Sequence, residues 1–288
     1  MNPRVRILFQ YTAVLLVGVA GGVLVMRRDK VSFASTAEST ENPVSSLEQR
    51  IPKIPATSRE FTKLSTADRE KLALLCRSFR EAKADAERLA ILDDIEAGCL
   101  GREFIDLARP IFETPKSPQS REVRQRVLSL LSGNVSTEIL PVLDLARRHG
   151  DEAQRTLAVQ AAAQVRDPQV EAFIASFFVD QEKNVRLAAL EVAGKQPAGT
   201  RERLFSRAMQ SREQDVALAG LAELEVDAST ATLPQIFEGL AAPNPEVREE
   251  TRRTLEFMLD QSFDTPQAAA TWWNANRHRF DAQLIRLD

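Results

Sequence analysis

Apolar positions recur along most of this chain at three- and four-residue steps, the spacing that gathers them on one stripe of an α-helix. From about residue 65 onward one such segment follows another, and no stretch sustains an alternation of period two. The pattern predicts helices and no strands. Its punctuation agrees. Ser65 with Asp68 resembles a capping box opening the run DREKLALLCRSF. Asp167-Pro168, Asn244-Pro245 and Thr265-Pro266 each set a capping side chain before a proline at the first helical position. Gly133, Gly150 and Gly194 fall where helices should end.

The helices also repeat. The segments REVRQRVLSLL (121–131), DEAQRTLAVQA (151–161), EKNVRLAALEV (182–192), REQDVALAGLAEL (212–224) and PEVREETRRTL (245–255) align at Val123, Ala153, Val185, Val216 and Val247. The successive spacings are 30, 32, 31 and 31 residues. Between them lie the apolar segments ILPVLDLARR, VEAFIASFFVD, RERLFSRAM and LPQIFEGLA, with Leu140-Pro141 and Leu233-Pro234 in corresponding places. Each unit is a helical hairpin that cannot bury its apolar faces alone and must stack on its neighbours.

At these residues the chain resembles the HEAT-repeat family, in particular its short HEAT-like units of the phycobilisome-lyase type. The resemblance rests on the period, on the Leu-Pro of the first helix, and on Val123-Arg124, Val185-Arg186 and Val247-Arg248 opening the second. Ala153-Gln154 and Val216-Ala217 depart from it and interrupt an arginine ladder. The clear match covers about 120–260, and REFIDLARPIF at 102–112 extends the pattern toward residue 65. The resemblance implies an all-α, right-handed α-α superhelix over 61–264, in which the Val and Arg positions are structural.

The terminal segment 265–288 leaves the repeat. Ala269, Trp272, Trp273, Asn276 and Phe280 share one helical stripe there, as a capping helix requires where no further repeat follows.

The N-terminus is different again. Residues 7–26, ILFQYTAVLLVGVAGGVLVM, carry no charge. Twenty helical residues span about 30 Å, the thickness of a bilayer's hydrocarbon core. A cleavable signal peptide has an apolar core of only about 7–15 residues followed closely by a small-x-small site. Here Ser35-Thr36-Ala37 lies beyond a cluster of Arg27, Arg28 and Lys30, so an uncleaved single-pass helix is expected, placed in a bacterial inner membrane. Arg4 and Arg6 precede the run, and this balance leaves the orientation open. Gly18 and Gly22 stand four apart and would let two copies approach closely, although glycine is common in membrane helices. Residues 27–60, rich in Ser, Thr, Glu and Pro from residue 32 onward, read as a linker.

Composition narrows the chemistry. Two His, two Cys and one Tyr leave little for a metal or nucleophile site, and no ligand spacing, phosphate loop or dinucleotide fingerprint occurs. No catalytic, cofactor-binding or metal-ligating residue is assigned. Residues 31–288 hold 33 basic and 40 acidic side chains, a net of −7, which argues against nucleic acid. His149 sits at a helix C-terminus and His278 between two arginines, both read as structural or solvated. With a turn near Lys83, Cys76 and Cys99 fall roughly 13 Å out of step along antiparallel helices, too far for a disulfide. Asp93-Asp94 and Glu249-Glu250 read as solvated faces, and Phe173, Phe177 and Phe178 as core.

The reading that follows is a membrane-tethered helical-repeat scaffold that binds a protein partner on its solenoid surface and is not an enzyme. One alternative is a HEAT-like lyase acting on a bound tetrapyrrole. The other is an envelope protein self-associating through Gly18 and Gly22.

Overall fold

The computed structural model describes residues 65–95, 101–114, 119–132 and 134–287. The expected membrane helix at 7–26 with Gly18 and Gly22, the linker at 27–60, residues 61–64, Cys99 and Gly133 lie outside them. The chain divides into two units, 1–52 and 53–288, and all the described residues belong to the second.

Among the described residues the fold is all-α, built of α-helices and short 3-10 turns with no strand. The helices form hairpins. These are α1 (Thr66–Glu81) with α2 (Asp85–Asp94), α3 (Arg102–Phe112) with α4 (Arg121–Leu131), and α5 (Leu140–His149) with α6 (Glu152–Ala161). There follow α7 (Pro168–Ala175) with α8 (Lys183–Gly194), α9 (Ala198–Met209) with α10 (Gln214–Val226), and α11 (Leu233–Phe237) with α12 (Pro245–Leu259). A last helix, α13 (Pro266–Asn276), ends the array. Odd helices pack on odd and even on even, from each hairpin to the next. The result is two layers of helices enclosing one core that runs from Leu72 to Trp273. Each fully buried Leu, Val or Phe in it contributes about 1.5–3 kcal/mol.

The hairpins towards residue 65 pack as the later ones do, and the turn expected near Lys83 falls between Glu81 and Asp85. Side-chain caps start many of the helices. The Ser65 hydroxyl accepts from the Asp68 N–H at 3.1 Å and donates to the Asp68 carboxylate at 2.6 Å. Asp167, Asn244 and Thr265 cap α7, α12 and α13, each followed by proline. Gly150 lies just past the end of α5, whereas Gly194 is the last residue inside α8.

The repeat register is tighter than the apolar alignment suggests. The residues that cap α4, α6, α8, α10 and α12 are Ser120, Asp151, Glu182, Glu213 and Asn244, each 31 residues after the last. The third helical residue is therefore Val123, Gln154, Val185, Val216 and Val247, so Gln154 and not Ala153 occupies the buried position. Aligning on apolar identity missed this because glutamine is polar. Gln154 is only 2% exposed, and its side-chain amide donates back to Asp151 at 3.3 Å.

This one-residue shift restores the arginine ladder. The fourth residue of each even helix is Arg88, Arg124, Arg155, Arg186, Ala217 and Arg248, so only Ala217 interrupts it. Most of these guanidinium groups reach back to carbonyls of the turn leading into their own helix. Arg88 donates to Ala82 O at 2.8 Å, Arg155 to Gly150 O at 3.1 Å, Arg186 to Asp180 O at 2.7 Å and Arg248 to Ala242 O at 2.7 Å. Several also grip the following repeat. Arg155 holds Asp180 through two parallel bonds of 2.8 and 3.0 Å, and Arg186 holds Asp215 at 2.8 Å. The Asp215 hydrogen bond raises the Arg186 pKa further above neutrality, so this link stays charged. Arg124 donates to His149 O at 3.5 Å and lies over the Phe112 ring, 5.2 Å from its centroid.

The odd layer has its own link. Glu171 of α7, almost fully buried, accepts from Arg203 at 2.8 Å and pairs with Arg207 at 3.2 Å, both on α9. At the C-terminal end Ala269 and Trp273 of α13 are buried, with Trp272 and Phe280 edge to face and the Phe263–Trp272 and Trp273–Phe280 pairs tilted. Asn276, on the same stripe, instead donates to Trp272 O at 2.8 Å. The chain then turns back through an isolated bridge between Phe280 and Arg286, and Ala282 O accepts from the Thr230 N–H at 3.2 Å.

The buried, bidentate pair is expected to matter far more than the exposed ones. Arg155→Ala leaves Asp180 without its partner at a site where both side chains are about nine-tenths buried, and should cost about 2–4 kcal/mol. Arg253→Ala, on an exposed pair, should cost less than about 0.5 kcal/mol. Urea unfolding followed by circular dichroism measures both, and equal losses would contradict the ranking.

Candidate interaction surface

The even helices bury one side and turn the other outward, and what they present there changes along the array. On α4 the outer positions are polar, with Gln125 and Arg126 half-buried. On α6 they are Thr156 and Leu157, and on α8 Leu187, 37% exposed. On α10 they are Leu218, Ala219 and Ala222, all half-buried, and Val226, 59% exposed. On α12 they turn acidic, with Glu249, Glu250 and Glu256, followed by Phe257, 56% exposed. An apolar patch thus lies over α8 and α10, with Leu187 and the half-buried Leu218 at equivalent positions, and continues through Ala222 and Val226 to Phe257 of α12, beside the paired charges Glu249, Glu250, Arg252 and Arg253.

Helix α10 is the centre of this patch because Leu218, Ala219, Ala222 and Val226 lie on its outer side, between Asp215, Glu223 and Glu225. Val216, Ala217, Gly220, Leu221 and Leu224 face the core. Gly220 allows the close approach to α9, since a Cβ there would sit 2.6 Å from Met209 N and 2.7 Å from Phe205 O. Leu218, Ala222 and Val226, each four residues after the last, form the opposite ridge. The sequence reading passed over this ridge, although QDVALAGLAELEV held the signal in having no continuous polar face.

Polar side chains edge the patch. At the N-terminal ends of the even helices Asn184 donates to Glu152 at 2.8 Å, and Gln214 donates to Glu246. At the other end Glu225 sits between α10 and α12 and accepts from the Thr254 hydroxyl at 2.5 Å. Burial, reinforced by the nearby Glu250, pushes the Glu225 pKa above the usual carboxylate range despite that hydrogen bond.

The residues singled out for chemistry are dispersed. The Nδ1–H of His149 donates to Phe112 O at 2.7 Å, which ties α5 to the last turn of α3. His278 is exposed in the 3-10 turn Arg277–Arg279. Cys76 is buried, its thiol 3.8 Å from Glu103 O, and burial pushes its pKa up to about 11. Its pairing with Cys99 concerns a residue outside those described. Asp93 pairs with Arg126 at 2.9 Å, while Glu249 and Glu250 pair with Arg252 and Arg253 on their own helix. Phe173, Phe177 and Phe178 are buried, with the first two rings edge to face at 5.1 Å. Among the described residues no group of three or more His, Cys, Asp and Glu is placed to hold a metal ion, and no helix is long and apolar enough to cross a membrane. No family model matches the chain, and no curated protein matches it.

Two measurements check the local chemistry. In a Cys99→Ser background, Cys76 should resist a thiol reagent at pH 8 until denaturant is added, because a buried thiol with so high a pKa supplies almost no thiolate. Rapid labelling of the native protein would refute its burial. Glu225 binds its proton more tightly folded than unfolded, so its cost to stability is absent below the unfolded pKa and complete once pH exceeds the folded one. Glu225→Gln should therefore raise the Tm at pH 7 and leave it nearly unchanged at pH 3.

Proposed function

We propose that this protein is a membrane-tethered scaffold of HEAT-like repeats that works by binding another protein, without catalysis of its own. In this reading residues 7–26 anchor the chain as a single-pass helix in a bacterial inner membrane. Residues 27–60 give it reach. The repeats form a right-handed α-α solenoid whose even-helix face receives the partner. The uniform spacing of the even-helix caps and the arginines at the fourth position favour the HEAT-like assignment.

The observation that carries the functional part is the apolar patch on the outer face of α8, α10 and α12. A repeat array needs apolar residues between its helices, and its outer face needs none. Leu187, Val226 and Phe257 are therefore in excess of what folding requires, and exposed apolar patches rimmed by polar groups mark interaction surfaces. The surrounding carboxylates suit a partner and repel nucleic acid.

The test is photocrosslinking in the native membrane. A photoreactive residue replacing Leu187 or Leu218 should give a discrete adduct. The same residue replacing Asp106 or Ala172, exposed on the odd layer, should not. Adducts of equal yield from both layers, or from neither, would reject the scaffold reading. Fractionation checks the tether separately: the full chain should sediment with membranes, and deletion of residues 7–26 should release it.

A further inference from the structure

Resting on the scaffold reading, we infer that the ridge Leu218–Ala222–Val226 of α10, together with Phe257 of α12, docks a basic amphipathic segment of the partner protein. Val226 and Phe257 are equivalent residues of successive repeats on helices that pack side by side, which brings the two most exposed apolar side chains of the even layer together. Helices packed in this way lie about 8–10 Å apart, close enough for one bulky apolar side chain to bridge both anchors.

The charge around this ridge selects the partner. Glu223 and Glu225 flank it on α10, and Glu249, Glu250 and Glu256 flank it on α12. Asp227 and Asp260 stand at the C-terminal ends of the same two helices, where the backbone carbonyls add further negative charge. The cations of α12 are already engaged. Arg252 and Arg253 pair with Glu249, Glu250 and Asp264, and Arg201 pairs with Asp227. Glu223, Glu256 and Asp260 have no ion-pair partner among the described residues. Lysines or arginines on the polar side of an incoming helix would meet these carboxylates. Its apolar side would cover Leu218, Ala222, Val226 and Phe257. An acidic segment would be repelled, and a purely apolar one would leave the carboxylates unmatched.

Fluorescence anisotropy with the full chain and designed peptides tests this. The probe is a labelled peptide of leucine and lysine at amphipathic helical spacing, and its counterpart carries glutamate in place of lysine. The lysine peptide should bind and the glutamate peptide should not. Val226→Ser with Phe257→Ser should weaken binding about tenfold or more. Glu223→Lys with Glu256→Lys should weaken it and flatten its dependence on salt. Leu74→Ser, at an exposed apolar residue of α1, should leave it unchanged. All these substitutions lie on exposed side chains, and thermal unfolding by circular dichroism verifies that each variant folds. Equal binding of the two peptides, or undiminished binding by the double-serine variant, overturns the inference. If partner adducts at position 187 persist in that variant, the scaffold reading stands without this docking site. Absence of those adducts in the unsubstituted protein removes the scaffold reading itself.

Discussion

The array depends on a guanidinium group buried at the same point of nearly every even helix. A helical hairpin ends in a turn whose carbonyls have lost their helical partners, and those carbonyls lie at the seam between repeats where water is scarce. An arginine at the fourth helical position resolves this with its fork of donors, part of which satisfies its own turn while another part reaches the next repeat. Arg155 does both, through Gly150 O and Asp180. Arg186 does both through Asp180 O and Asp215. Lysine has three donors on one nitrogen and lacks the planar fork that lets arginine grip a carboxylate through two parallel bonds while still reaching the turn.

Everything else is arranged around that seam. The side chains of Ser120, Asp151 and Asn244 cap α4, α6 and α12, and where each even helix begins fixes the height at which its arginine emerges. The small residues and Gly220 set how closely odd and even layers approach. Glu171 with Arg203 and Arg207 repeats the device once in the odd layer, where a buried carboxylate is shared by two cations of the following repeat. The exposed apolar side chains Leu187, Val226 and Phe257 take no part in this economy.

Much of this was legible in the sequence. Capping residues, prolines and apolar stripes located the helices, because these signals are local and each acts within one turn. The period was legible too, but its register at the second clear repeat was not. Gln154 occupies a position held elsewhere by valine, and only the cap at Asp151 reveals that Arg155 belongs to the ladder. Glu171 lies in an apolar segment and reads as solvated until the arginines of α9 are brought over it. The ridge on α10 was hidden for a related reason, since Leu218, Ala222 and Val226 look like core until Val216, Ala217, Leu221 and Leu224 are seen to fill that role. Sequence periodicity tells which residues share a face, and packing decides which face is inside.

Ala217 leaves the array unevenly bridged. Where arginine bridges successive repeats, bending the seam means separating desolvated opposite charges. Between the last two hairpins the side chains that cross are Gln210 to Glu238 O in the odd layer and Gln214 to Glu246 and Thr254 to Glu225 in the even layer, hydrogen bonds with an uncharged donor and no cation. Such bonds restrain the seam less than a desolvated ion pair does. The last hairpin and its aromatic cap are therefore held to the repeats before them by packing and neutral donors. This seam runs beside Val226 and Phe257, so the two most exposed apolar side chains of the even layer flank a junction that its arginine ladder does not bridge.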